Sequence, residues 1–296
     1  MTGVPDEVSH DVWAAMGLPE VPPGEKAFTR RDVEALTTAL ELGRTGLVDE
    51  TGLLVHARAM GQALARLAET QVEVVRGRGL GSTPEEAYAT ALAVAPEVLP
   101  QLESLLVYMW RRQFAAAAAR SFASGTLDGQ PVLAVGFVDL VGYTLSSRSW
   151  DGGELEALLE RFESTLSLRV TAHGGRVVKT IGDELLYVCD DIRPAAEIAL
   201  ETVAAHAADE SLPDVRAGLA LGPVLTRLGD VFGQPVNLAS RLTREARPGT
   251  VLVDLAAAAE LGGAGGFDLV RLKSRPVRGY GSLRPHVLRP ATTVAP

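Results

Sequence analysis

A turn-rich segment, Ser124-Gly125-Thr126-Leu127-Asp128-Gly129-Gln130-Pro131, divides the chain into two stretches whose apolar residues repeat with different periods. Before it the repeat is helical. Val33, Leu36, Leu40 and Leu42 form one stripe, and Leu53, Ala57, Met60, Leu64 and Leu67 form another. Thr29 with Asp32 three residues later, and Thr83 ahead of Pro84-Glu85-Glu86, supply helix starts. A further helix is expected from after Pro100 to about Phe122. Residues 1–125 therefore read as an all-α domain. Beyond the break, short apolar runs alternate with helical ones: Val132 to Leu140 as a strand, Gly153 to Ala172 as a helix, and Arg176 to Lys179 with Leu185 to Cys189 as a hairpin. A helix after Pro194, a strand pair at Val215 to Leu221 and Val224 to Leu228, a helix from about Val236 to Ala246, and three short final strands complete the pattern. Residues 126–296 read as an α+β domain, a mixed sheet with helices on one face.

Charge and cysteine content narrow the function classes. Residues 1–125 carry 11 Lys/Arg against 16 Asp/Glu, and residues 126–296 carry 17 against 21, so neither half has the basic footprint of a nucleic-acid domain. The single cysteine, Cys189, rules out an intramolecular disulfide framework, and its apolar neighbours point to a buried, inert thiol. The most apolar stretch, Ala91 to Trp110, is interrupted by Pro96, Glu97, Pro100 and Glu103, so no membrane span is expected. An acidic start (Asp6, Glu7, Asp11) does not resemble a secretory signal, and a cytoplasmic location follows as the expectation.

Three segments carry candidate chemistry. In Phe137-Val138-Asp139-Leu140-Val141-Gly142-Tyr143-Thr144 an apolar strand delivers Asp139, a hard oxygen ligand, to a turn whose free backbone N–H groups suit phosphate. In Lys179-Thr180-Ile181-Gly182-Asp183-Glu184 a tight turn places a second carboxylate between two strands, and two carboxylates permit a two-metal site. In Gly229-Asp230-Val231-Phe232-Gly233-Gln234-Pro235-Val236-Asn237-Leu238-Ala239-Ser240-Arg241, Asn237 and Arg241 share one helix face at i, i+4. Singly, each segment fits a turn aspartate or a solvated helix face as well as it fits a site.

Together, in this order and spacing, the three segments resemble the class III nucleotidyl cyclases over about Val132 to Leu288. The resemblance implies a ferredoxin-like catalytic domain that makes cyclic AMP from ATP. It assigns two divalent metal ions, Mg2+ or Mn2+, to Asp139 and Asp183, and adenine reading to Lys179 and Asp230. It gives ribose orientation to Asn237, neutralisation of the α-phosphate to Arg241, and the triphosphate to backbone N–H groups of Val141, Gly142, Tyr143 and Thr144. A basic residue near the carboxyl end, Arg278 or Lys273, is expected on the terminal phosphates. Guanylyl cyclases of this family usually carry an acid and a cysteine where this chain has Lys179 and Asp230, so adenine fits better. The family also works as a dimer with composite sites: Asp139 and Asp183 from one chain, and Lys179, Asp230, Asn237 and Arg241 from the other.

The amino-terminal half, through segments such as Phe28-Thr29-Arg30-Arg31-Asp32-Val33 and Ala59-Met60-Gly61-Gln62-Ala63-Leu64, resembles the helical regulatory domain ahead of some soluble bacterial adenylyl cyclases. That resemblance implies regulation, in some members by pH, for which His10 and His56 are candidate sensors. The alternatives are a catalytically silent cyclase-like module that binds nucleotide, and a guanylate cyclase.

Overall fold

The computed structural model describes residues 6–18, 22, 28–46, 48–76, 83–123, 130–143, 152–277 and 281–291. It separates into two compact units, Met1–Ala118 and Ala119–Pro296. The expected divide at residue 125 lies in 124–129, outside the described residues.

The first unit is helical: α1 Asp6–Ala15, α2 Arg30–Arg44, α3 Glu50–Arg76 and α4 Pro84–Ala123, of which the last extends into the second unit. Thr29 caps α2, and the Asp32 carboxylate accepts from both its N–H and its hydroxyl at 2.6 Å. Thr83 caps α4 by accepting from the Glu86 N–H at 3.2 Å. A small core of Val12, Leu36, Leu53 and Ala57 joins α1, α2 and α3. His10 and His56 are exposed.

One expectation fails here. α4 is a single 40-residue helix that runs through Pro96 and Pro100. Each proline removes one ladder donor, but the helix is exposed there and water can take the freed carbonyls. Without those breaks, Pro84–Phe122 is long and apolar enough to cross a membrane by length and composition, and none of its most apolar window is buried.

The second unit is built on β1 Val132–Leu140, α5 Gly152–Ala172, β2 Arg176–Ile181, β3 Glu184–Cys189, α6 Ile192–Ala207, β4 Val215–Pro223, β5 Leu225–Arg227, β6 Asp230–Phe232, α7 Gln234–Glu245, β7 Val251–Val253, α8 Leu255–Ala264, β8 Phe267–Arg271, β9 Arg275–Val277, β10 Gly281–Leu283 and β11 His286–Pro290. Seven strands form the main sheet in the order β2-β3-β1-β4-β7-β11-β8. Every pairing is antiparallel except β4 with β7. The expected pairing of residues 215–221 with 224–228 does not form. β4 pairs with β1, while β5 turns back on β6 as a separate two-stranded hairpin.

Side-chain parity along β1 explains the layers. Ala134, Val138 and Leu140 face one core with Phe162 and Leu166 of α5, Ile198 of α6 and Leu261 of α8. Leu133, Val135 and Phe137 face the opposite way, into a core that includes Ala239 of α7. Helices therefore cover both faces, and the sequence expectation of one covered face is corrected by α7. A side chain on Gly218 of β4 would meet the Ala239 carbonyl at 2.4 Å and the Thr243 amide at 2.4 Å, so only glycine lets α7 sit this close to the sheet. Cys189 is buried, and burial, helped by Asp190 and Asp191, pushes its thiol up to about 12. It is an inert core residue.

Candidate active site

Parity also places the first candidate. Asp139 follows Phe137 on the α7 side of β1, at the strand's carboxyl end. Its cross-strand neighbours are Glu184 of β3 and Arg216 of β4, so the three side chains form a row on one face. Arg216 donates to Asp139 Oδ2 from Nε at 2.7 Å, and its second terminal nitrogen lies 2.6 Å from the same oxygen.

Asp183 reaches this row from the β2–β3 turn. Gly182 takes φ +64°, the conformation a two-residue hairpin asks of its first central residue. The Leu140 N–H donates to the Asp183 carbonyl at 3.1 Å, which pins the turn beside the end of β1. Burial first, then the charge of Asp139, raises the Asp183 carboxyl above its ordinary value. Burial and Asp139 likewise push Glu184 up to about 7. Like charges gathered in a half-buried place favour either protonation or a cation.

No set of three His, Cys, Asp or Glu side chains among the described residues forms a preorganised metal cage. Two carboxylates nevertheless suit magnesium, which is held by one or two carboxylates together with substrate phosphates and water. By the chemistry of the donor set the residues fit a divalent metal.

The turn after β1 carries the residues expected to meet phosphate. Gly142 is exposed with φ +80°, while the Val141 N–H already donates to the Asp214 carbonyl at 2.8 Å. Gly142 and Tyr143 thus remain as amide sources, and Thr144 lies outside the described residues, as does Arg278.

Lys179 and Asp230 form an ion pair between β2 and β6. Asp230 sits at the start of β6 because Leu228 and Gly229 turn the chain with φ +53° and +79°. Such a turn requires positive φ at both positions, and a leucine there is strained. Arg176 donates to the Gly229 carbonyl at 3.1 Å and ties the two hairpins together. Around the pair, Ile181, Leu225, Leu228 and Phe232 all present exposed apolar surface.

α7 spans the sheet between the two groups. A side chain on Gly222 would meet the Pro235 ring at 2.9 Å, whereas the Arg244 carbonyl accepts from Arg216 at 3.1 Å. Six residues of β4 separate these points, about 20 Å of strand. Asn237, exposed in the first turn of α7, is therefore at the far end from Asp139. Arg241 points aside, lining a small recess with Leu252, Leu272 and Pro285. Within one chain the structure brings together Asp139 with Asp183, and Lys179 with Asp230. It holds Asn237 away from the aspartates.

Residues 129–290 match the family of adenylate and guanylate cyclase catalytic domains. An adenylate cyclase of Streptomyces coelicolor is 47% identical over 265 residues, covering 88% of this chain and 69% of that protein. One from Glutamicibacter nicotianae is 36% identical over 97% of this chain and 76% of its own length. The chain belongs to the class III adenylyl cyclases. The two alignments reach well beyond the catalytic domain, so the similarity of this cyclase to those relatives extends into its amino-terminal half. The guanylate cyclase domain of RhGC from Catenaria anguillulae, solved with GTP, has a TM-score of 0.51 at 22% identity and covers 56% of this chain and 100% of that one. At that identity the likeness concerns the fold alone.

Two members of the cyclase's charged row, Glu184 and Arg216, escaped the sequence reading. Arg216 did leave a signal, a lone cation inside the apolar run Val215-Arg216-Ala217-Gly218-Leu219 at the start of a strand.

Proposed function

We propose that this cyclase converts ATP to 3′,5′-cyclic AMP and pyrophosphate at two composite sites of a homodimer, with two divalent ions, Mg2+ or Mn2+, at Asp139 and Asp183. The observation that carries the reading is the split of the family's residues. The aspartates gather by the carboxyl-terminal end of α7, where Arg216 of β4 reaches the Arg244 carbonyl, and Asn237 stands in the opposite, first turn, about 10 Å away along the helix axis. A second copy supplies the missing half, and the exposed apolar residues beside Lys179 and Asp230 support burial of that region against it.

In this reading Lys179 Nζ donates to an adenine ring nitrogen, and the Asp230 carboxylate accepts from the exocyclic amine. Guanine presents a donor and a carbonyl at those places, so the same two groups reject it. Asn237 holds the ribose so that its 3′-oxygen faces the α-phosphorus, which converts proximity into rate. Arg241 donates its planar, permanently charged fork to the α-phosphate as charge builds there. The amides of Gly142, Tyr143 and Thr144 steady the triphosphate, and Arg278 or Lys273 takes its terminal phosphates. Bound metal ions supply activation of the 3′-hydroxyl and neutralise the departing pyrophosphate. The catalytic unit works in the cytoplasm, where ATP and magnesium are.

Purified full-length protein given ATP or GTP with Mn2+ is expected to yield cyclic AMP from ATP, at a rate at least about a hundredfold above cyclic GMP from GTP. A predominance of cyclic GMP would make it a guanylate cyclase. No product from either nucleotide would make it a silent nucleotide-binding module.

The amino-terminal helices are read as the regulatory element. α4 leads to within nine residues of β1, so a shift in it can alter how two catalytic units face each other. Removing residues 1–125 is expected to change the maximal rate or its pH profile severalfold. An identical profile in the truncated and full-length enzymes would refute regulation by this segment.

A further inference from the structure

Every nitrogen of the Arg216 guanidinium is committed. Nε and one terminal nitrogen address a single oxygen, Asp139 Oδ2, at 2.7 and 2.6 Å, and the other terminal nitrogen donates to the Arg244 carbonyl at 3.1 Å. The strand register fixes this arrangement, since Asp139 and Arg216 are direct cross-strand partners. The Asp139 side chain is only 13% exposed and that of Arg216 29%, so water screens the pair poorly. Asp139, Asp183 and Glu184 would otherwise crowd negative charge into one half-buried row.

The two guanidinium N–H groups fill the lone pairs of Oδ2, so a divalent ion that takes this oxygen must displace them, against the repulsion of a fixed positive charge. We propose that Arg216 is a positioning residue that acts as a resident cation, holding Asp139 when metal is absent and yielding it when metal binds, so that it sets the affinity of the site for metal. The inference rests on the reading of Asp139 and Asp183 as metal ligands. Arginine suits the task because it stays charged at any physiological pH, so the competition is constant. Displacement does not strand it. The Arg244 carbonyl belongs to the last turn of α7, where the helix dipole favours a cation and keeps the guanidinium parked beside the site.

The test measures Mn2+ binding to the full-length protein without nucleotide, from the electron paramagnetic resonance signal of free aquated Mn2+. The proteins compared are the wild type, Arg216→Gln, Arg216→Lys and Asp139→Asn. Removing the competing charge is expected to tighten binding at least about fivefold in Arg216→Gln. Arg216→Lys, with one compact ammonium in place of the fork, should bind between that variant and the wild type. Saturating Mn2+ should also raise the melting temperature of Arg216→Gln more than that of the wild type, because metal then stabilises an otherwise unpaired carboxylate. Asp139→Asn should weaken binding at least about tenfold. Equal or weaker binding by Arg216→Gln, with wild-type binding that depends on Asp139, would overturn the inference and leave the metal site standing. Absence of binding in both the wild type and Arg216→Gln would overturn both. Should Arg216→Gln fail to fold, Arg216→Lys decides, and affinity no tighter than wild type counts against the proposal.

Discussion

Asp139→Asn is expected to lower turnover of ATP at least about a thousandfold while the protein stays folded, which is a loss of roughly 4 kcal/mol of transition-state stabilisation. The substitution keeps shape and removes charge. Asp139 is the half-buried centre of the row Glu184–Asp139–Arg216, and Asp183 gains a raised proton affinity partly from it. On the proposed reading, removing that charge takes away one of two hard anionic ligands and leaves Arg216 without its carboxylate partner, facing any incoming metal. Turnover and the thermal midpoint of the variant, measured side by side, check this. Activity within tenfold of wild type would mean that Asp139 does not hold metal.

The second large effect concerns the base. Replacing Lys179 with glutamate and Asp230 with cysteine together is expected to reverse the ratio of kcat/KM for ATP over GTP by at least about a thousandfold. A site built to pair with one set of donors and acceptors leaves its own groups unpaired against the other base. The ion pair between Lys179 and Asp230 lies on exposed hairpins, with the lysine side chain 41% exposed, so the fold should tolerate the change. Steady-state kinetics on both nucleotides give the ratio. An unchanged preference for ATP would show that these residues do not read the base.

Much of this was legible in the sequence because it depends on local chemistry. Thr29 with Asp32 and Thr83 with Pro84 mark helix starts that the structure reproduces, since a cap is decided within four residues. The strand carrying Asp139 followed from a short apolar run and the hairpin from a tight Ile181-Gly182-Asp183 turn, and both appear in the structure. The parts that were not legible depend on distant pairing. Nothing in Val215 to Leu228 says that β4 crosses to β1 while β5 folds onto β6. The position of α7 on the second face depends on Gly218, whose missing side chain matters only once Ala239 and Thr243 arrive above it. Arg216 became part of the site through register with Asp139, 77 residues earlier. In α4 the local rule misled, because Pro96 and Pro100 do not end a helix whose carbonyls can turn to water.

The central claim is that each working site draws on two chains. Asp139→Ala and Arg241→Ala proteins, each carrying a different affinity tag, are expected to be inactive alone. Heterodimers isolated through both tags should recover about half of wild-type activity, because one of the two composite sites then has every residue intact. Verified heterodimers as inactive as their parents would contradict the account and return all of these residues to a single chain.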